Sequence, residues 1–189
     1  LKELKAKFIE APDEAAFYGP KLDVQMKNIL GKEETVSTVQ LDFYLPERFQ
    51  LEFVAEDGSR SRPVIIHRAI LGSMERFIGI YLEKIAGELP VWLAPVQVTV
   101  LPVGERFDKY ATEVVNQLRS GGVRVDCQAS GSTLGKRIRQ AELLKIPYIL
   151  VVGEREVEQV TVTLRERHSP EQRSLTVEQV IQLVQEVQT

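Results

Sequence analysis

The chain has 189 residues, 43% hydrophobic and 27% charged, with a formal net charge of −3, which suits one or two small soluble domains. That acidic balance excludes a protein whose whole surface grips nucleic acid through its phosphates. Cys127 is the only cysteine, so an internal disulfide is excluded; no run is apolar enough for a membrane span and no signal peptide is visible, which points to a reducing cytoplasm and no membrane partner.

The first part reads as strands in hairpin style. Leu22, Val24 and Met26 alternate with Asp23, Gln25 and Lys27, Gly31 marks a turn, and Thr35 to Phe43 alternates again. Phe49, Leu51 and Phe53 form a third alternating run, closed by Glu56-Asp57-Gly58, and Pro63 to Ile66 begins a fourth. The spacing then predicts a helix from Ser73 to about Ala86, with Ile70, Met74, Phe77, Ile78, Tyr81 and Ile85 on its buried face. An antiparallel sheet with one helix is expected over residues 1–89. Gly87-Glu-Leu-Pro90-Val-Trp-Leu-Ala-Pro95 reads as a domain boundary.

Residues 90–189 alternate between strands and helices. Strands are expected at Val96–Leu101, Val123–Cys127, Tyr148–Val152 and Val160–Leu164, and helices at Phe107–Leu118, Leu134–Leu144 and Val177–Val187. This predicts a mainly parallel α/β sheet with one antiparallel neighbour. The fold class is therefore two domains, α+β followed by α/β.

Chemistry-bearing residues concentrate between Pro63 and Ile80. An apolar strand delivers His67, and a Gly72-Ser73 turn sets Arg76 on a helix start, where free N–H groups and the positive dipole end attract anions. Ser73 also suits a plain N-cap, Arg76 a solvated helix face and His67 a structural role. Gln40 and Asp42 share one strand face with Thr38, ordinarily just the wet face. Lys136-Arg137-Ile-Arg139, with Lys145 beyond, is the best basic cluster and reads as a solvated helix face or a local phosphate contact. Gly153-Glu-Arg-Glu156-Val-Glu158 reads as a charged turn before the strand carrying Arg165.

Phe17-Tyr-Gly-Pro-Lys-Leu-Asp23, Ser37-Thr-Val-Gln-Leu-Asp-Phe43, Leu45-Pro-Glu-Arg-Phe49 and Ile66-His-Arg-Ala-Ile-Leu-Gly-Ser-Met-Glu-Arg-Phe-Ile-Gly-Ile80 stand in the order of four blocks of a known family. On them the chain resembles the class II aminoacyl-tRNA synthetases, and among these the threonyl family. The resemblance implies the last half of a catalytic domain followed by an anticodon-binding domain. It implies threonine, ATP with Mg2+, and tRNA(Thr) as substrates, and a homodimer for the intact enzyme. It assigns Arg76 and Gln40 to catalysis, with Tyr18, Gln40, Ser73 and Arg76 toward threonine and ATP. Glu156, Arg165, Lys136 and Arg137 face the tRNA anticodon, although Gly131-Ser132 departs from the polar pair many members carry there. His67 falls at one of three zinc ligands, the other two lying in a preceding segment. By itself this piece is expected to bind zinc weakly or not at all and not to aminoacylate. The alternative is a non-catalytic, synthetase-like RNA-binding or accessory protein.

Overall fold

Two alternating apolar and polar stretches, Lys21–Lys27 (β1) and Glu33–Asp42 (β2), pair as an antiparallel hairpin across the turn at Gly31. The short helix α1 (Tyr44–Arg48) follows β2, then a two-stranded ribbon of β3 (Phe53–Val54) and β4 (Arg60–Ser61). β5 (Ile65–Ala69) adds antiparallel to β2, giving the sheet order β1-β2-β5, and α2 (Met74–Lys84) ends this unit. The structure is a computed structural model that describes Glu3 and residues 5–187. It divides into two compact units, one running to Lys84 and one from Ile85.

The first unit buries little. Besides Asp42 and Pro46, Ile80 is its buried residue, whereas Ile70 is 63% and Met74 54% exposed and Ile78 is exposed as well. The predicted α2 stripe is thus only half realised, through Phe77, Tyr81 and Ile85. Amphipathic periodicity names a stripe, but only a neighbouring surface can cover it. The expected strand over Phe49 to Phe53 shrinks to the ribbon β3, because Tyr44–Arg48 turns helical immediately before it. That helix starts because Asp42 Oδ1 accepts hydrogen bonds from the N–H groups of Tyr44 and Leu45, both at 2.9 Å.

The second unit is a five-stranded sheet in the order β10-β9-β8-β6-β7, with β6 (Val98–Pro102), β7 (Val125–Cys127) and β8 (Tyr148–Val152) parallel. β9 (Val162–Glu166) and β10 (Gln172–Leu175) continue it antiparallel. Helices α3 (Asp108–Ser120), α4 (Leu134–Leu143) and α5 (Glu154–Gln159) fill connections between strands, and α6 (Val177–Glu186) follows β10. One face packs Val98, Val100, Leu150, Val152, Val162 and Leu164 against α3 and α6. The other packs Leu101, Ile149 and Val151 against Leu134, Ile138 and Ala141 of α4. The parallel strands β7-β6-β8 with β9 as an antiparallel neighbour match the sequence reading, but β10 is a further strand that reading lacked and makes the sheet mixed, with two parallel and two antiparallel pairings. The supposed charged turn after Gly153 is instead the helix α5, ended by Val160 in left-handed conformation at φ 53.

Candidate functional site

In the first unit a polar row crosses the sheet. Directly opposed residues of antiparallel strands point to the same face, and the register sets Lys21 opposite Gln40 and Gln40 opposite His67. Tyr18 joins them from the preceding turn, its hydroxyl donating to Gln40 Oε1 at 2.9 Å. The turn lies tight on β2, with the Leu41 N–H donating to the Pro20 carbonyl and the Phe43 N–H to that of Tyr18. A Cβ at Gly19, φ +152, would stand 2.2 Å from the Leu41 carbonyl oxygen, so only glycine fits there.

Asp42 was expected only as a member of the wet face; the structure makes it the hub. Its carboxylate is 2% exposed, and beyond capping α1 it bonds His67 Nε2 through Oδ2 at 2.9 Å. The Leu45 N–H, the His67 ring and the Tyr44 N–H hold its pKa below the ordinary carboxylate value. His67, its side chain 46% exposed, is left with Nδ1 as the nitrogen free of Asp42. One row further, Thr38 donates to Asp23 Oδ1 at 2.7 Å and Lys21 Nζ to Asp23 Oδ2 at 2.8 Å. Apart from the local Lys21–Asp23 pair, the partnerships of this row join residues 15 to 25 positions apart, so no local pattern announced them.

Ser73 stands at the start of α2, where its Oγ accepts from the Arg76 N–H at 3.4 Å and donates to Glu75 Oε2 at 2.7 Å. It therefore fills the N-cap role. Arg76 is exposed in the first turn, and its guanidinium has no partner among the described residues. Among those residues no cluster of three or more His, Cys, Asp or Glu could hold a metal ion. Zinc needs about three protein ligands; the residues present do not by themselves fit the ion, and His67 offers one ligand.

In the second unit, Glu156 sits in the first turn of α5. Its Oε2 accepts from the Gly153 N–H at 2.9 Å and its Oε1 from Thr163 Oγ1 at 2.8 Å. Thr163 and Arg165 lie opposite Val151 and Ile149 and opposite Ser174 and Gln172, so all six share one face. The α4 cluster covers this face as far as β8, and Gln172 and Ser174 beyond it are exposed. Glu156 and Arg165 thus border one polar platform. Lys136 projects from the first turn of α4 and is exposed. Arg137 does not: it is 2% exposed, with Nε donating to the Ser132 carbonyl at 3.1 Å and Nη1 to that of Gln128 at 3.2 Å. The expectation of a solvated cation there gives way to a buried one, because residue 137 lies on the face of α4 that meets the sheet.

Each of the two units matches a known family. Residues 3–85 match the family described as tRNA synthetase class II core domain (G, H, P, S and T), and residues 97–187 the anticodon binding domain. Threonine–tRNA ligases from Clostridium perfringens, Synechocystis and Gloeobacter violaceus are 50%, 49% and 51% identical over 91%, 98% and 98% of this chain. The chain spans only 27%, 31% and 30% of their lengths. Among solved structures, the RNA binding domain of threonyl-tRNA synthetase from Cryptosporidium parvum Iowa II superposes with a TM-score of 0.91 at 39% identity, covering 98% of this chain and 47% of that one. Prolyl-tRNA synthetase of Cryptosporidium parvum shares the fold at a TM-score of 0.72 and 23% identity, over 95% of this chain and 42% of that one. With both of its units matched in order and threonine–tRNA ligases its relatives at about half identity, the chain belongs to the threonyl-tRNA synthetase family of class II aminoacyl-tRNA synthetases.

Proposed function

We propose that this chain supplies the threonine and ATP end of a threonine–tRNA ligase and the module that holds the anticodon of tRNA(Thr). The observation that carries the proposal is the polar row of Tyr18, Gln40, His67 and Asp42 across β2 and β5. A sheet face that sets an amide, a phenol and a half-exposed imidazole abreast suits a small polar ligand such as an amino acid. Gln40 has its amide N–H groups to offer while its oxygen engages Tyr18. Arg76 keeps a permanent charge at a helix start, suited to offsetting ATP phosphate charge beside Mg2+ and to stacking on adenine. Ser73 caps that helix and orients it.

Zinc in this reading is held by His67 with ligands from outside the described residues, and Asp42 fixes the imidazole by its bond to Nε2. Leu22, Val24, Ile66 and Ile70 are all exposed, and grouped exposed apolar side chains mark a surface that meets another protein surface. It supports a first unit that works within a larger catalytic domain. Intact, such an enzyme joins threonine to tRNA(Thr) as a cytoplasmic homodimer. No helix among the described residues is long and apolar enough to cross a membrane.

Two measurements test the proposal. The purified 189-residue chain is expected to catalyse no threonine-dependent ATP/pyrophosphate exchange; measurable exchange refutes the division of labour. The same chain is expected to bind a threonine-tRNA anticodon stem-loop in preference to unrelated stem-loops, and to lose that preference in the Glu156→Ala, Arg165→Ala double variant. Equal affinity for every stem-loop leaves only phosphate contact and favours the accessory-protein reading.

A further inference from the structure

Residues 128–133 connect β7 to α4 off the carboxyl ends of the parallel strands, the edge where open α/β sheets take their ligands. The loop, Gln128-Ala-Ser-Gly-Ser-Thr133, has no side chain that could anchor it by apolar packing. Two charged side chains hold it instead, Arg137 buried and Asp108 partly buried. Arg137 reaches back from α4 and donates to the carbonyls of Gln128 and Ser132, near its two ends. Asp108, first residue of α3, accepts from Ser130 Oγ at 3.3 Å in its middle.

The arrangement is poor as a stability device. Arg137 Nη2 and Asp108 Oδ1 are buried without a partner among the described residues, and unpaired buried polar atoms oppose folding. Apolar side chains of similar size commonly serve stability as well as buried charges or better. What the two charges do is specify one backbone path for a loop that glycine, serine and alanine would otherwise leave loose.

We infer that Arg137 is a positioning residue for RNA recognition, acting from inside the domain by holding the 128–133 loop in its reading conformation, and that it does not contact phosphate. The inference rests on the second unit being an anticodon binder. Lys136, its exposed neighbour, is left with the phosphate contact.

The two roles leave different marks on salt dependence. Each lost phosphate contact lowers the slope of log affinity against log salt by about 0.7–0.9 and weakens all RNAs alike. Loss of loop position alters discrimination without altering the slope. The experiment measures binding of a threonine-tRNA anticodon stem-loop and an unrelated stem-loop to the full chain and to R137Q, S130A and K136Q across a salt series. For R137Q the expected result is a cognate-to-unrelated ratio reduced roughly tenfold at unchanged slope. S130A, which removes only the Asp108 tether on a loop side chain, reduces the ratio in the same direction and keeps the inference testable should R137Q fail to fold. K136Q lowers the slope and keeps the ratio. A reduced slope with equal weakening of both RNAs in R137Q, or an unchanged ratio in a folded R137Q or in S130A, overturns the inference. A parent chain that fails to discriminate overturns the anticodon reading, and the inference with it.

Discussion

Glu156 lends itself to a quantitative test because one carboxylate accepts two hydrogen bonds and joins α5 to β9. It closes the first turn of α5 on the Gly153 N–H and ties that turn to β9 through Thr163. Glu156→Ala removes both hydrogen bonds. At about 0.5–1.5 kcal/mol net apiece their joint loss costs about 2 kcal/mol, less a few tenths returned by the better helix propensity of alanine. For a domain of about 100 residues that lowers the melting temperature by about 8–15 °C. Glu156→Gln keeps one oxygen acceptor, and the Thr163 hydroxyl can turn to accept from the new amide, so its cost stays below about 1 kcal/mol. The variants separate in stability yet converge in function, since neither retains a carboxylate to receive a base N–H. Trp92 is the only tryptophan and lies in the second unit, so its fluorescence follows this melting in the full chain. Melting of Glu156→Ala within about 2 °C of the parent would refute the structural argument. Undiminished stem-loop preference in Glu156→Gln would remove the carboxylate from base contact.

Gly19→Ala is expected to lift the Phe17-Tyr-Gly-Pro turn off β2, because its Cβ meets backbone at 2.2 Å and no rotamer relieves that; the cost is at least about 1–3 kcal/mol. Amide exchange at Leu41 and Phe43 reports it, and unchanged protection there contradicts it. Glu88 is held down to about 2 from an ordinary 4.5 by the Lys145 ammonium and then the His168 ring. A depressed carboxylate pKa contributes stability that is complete above the unfolded value and lost as pH falls toward about 2. Melting of the second unit should therefore weaken on acidification from about 4.5 to 2, and less steeply in Glu88→Gln; identical acid limbs would dissociate Glu88 from this behaviour. Val160→Gly, at an exposed β-branched residue with φ 53, is expected to raise stability by about 1 kcal/mol by relieving left-handed strain, measured as a higher urea midpoint.

Much of the fold was legible because its signals are local. Val177–Glu186 begins at Thr176, whose Oγ1 accepts from the Gln179 N–H while the Gln179 side chain accepts from the Thr176 N–H, a signature spelled within four residues. Tyr148–Val152 is a buried apolar run of strand length. The errors fall where local pattern is silent. Glu154–Gln159 has Val157 as its single apolar residue, so no stripe distinguishes it from a turn, and its Gly153 start is read only through the Glu156 carboxylate. Gln172–Leu175 has no strong alternation and becomes a strand by pairing with β9.

The sequence by itself determined the family, the order of the two units and the positions of Tyr18, Gln40, His67, Ser73 and Arg76, because those blocks are contiguous and each carries its own turn or cap chemistry. Only the tertiary structure decided which of these side chains are partners. Asp42 becomes the hub of the polar row because strand register sets it diagonally across from His67. Arg137 changes from a surface cation into a buried clamp because α4 turns that position toward the sheet. Burial and pairing are properties of atoms brought together from distant parts of the chain, and they separate two adjacent basic residues, Lys136 and Arg137, that composition alone treats as one cluster.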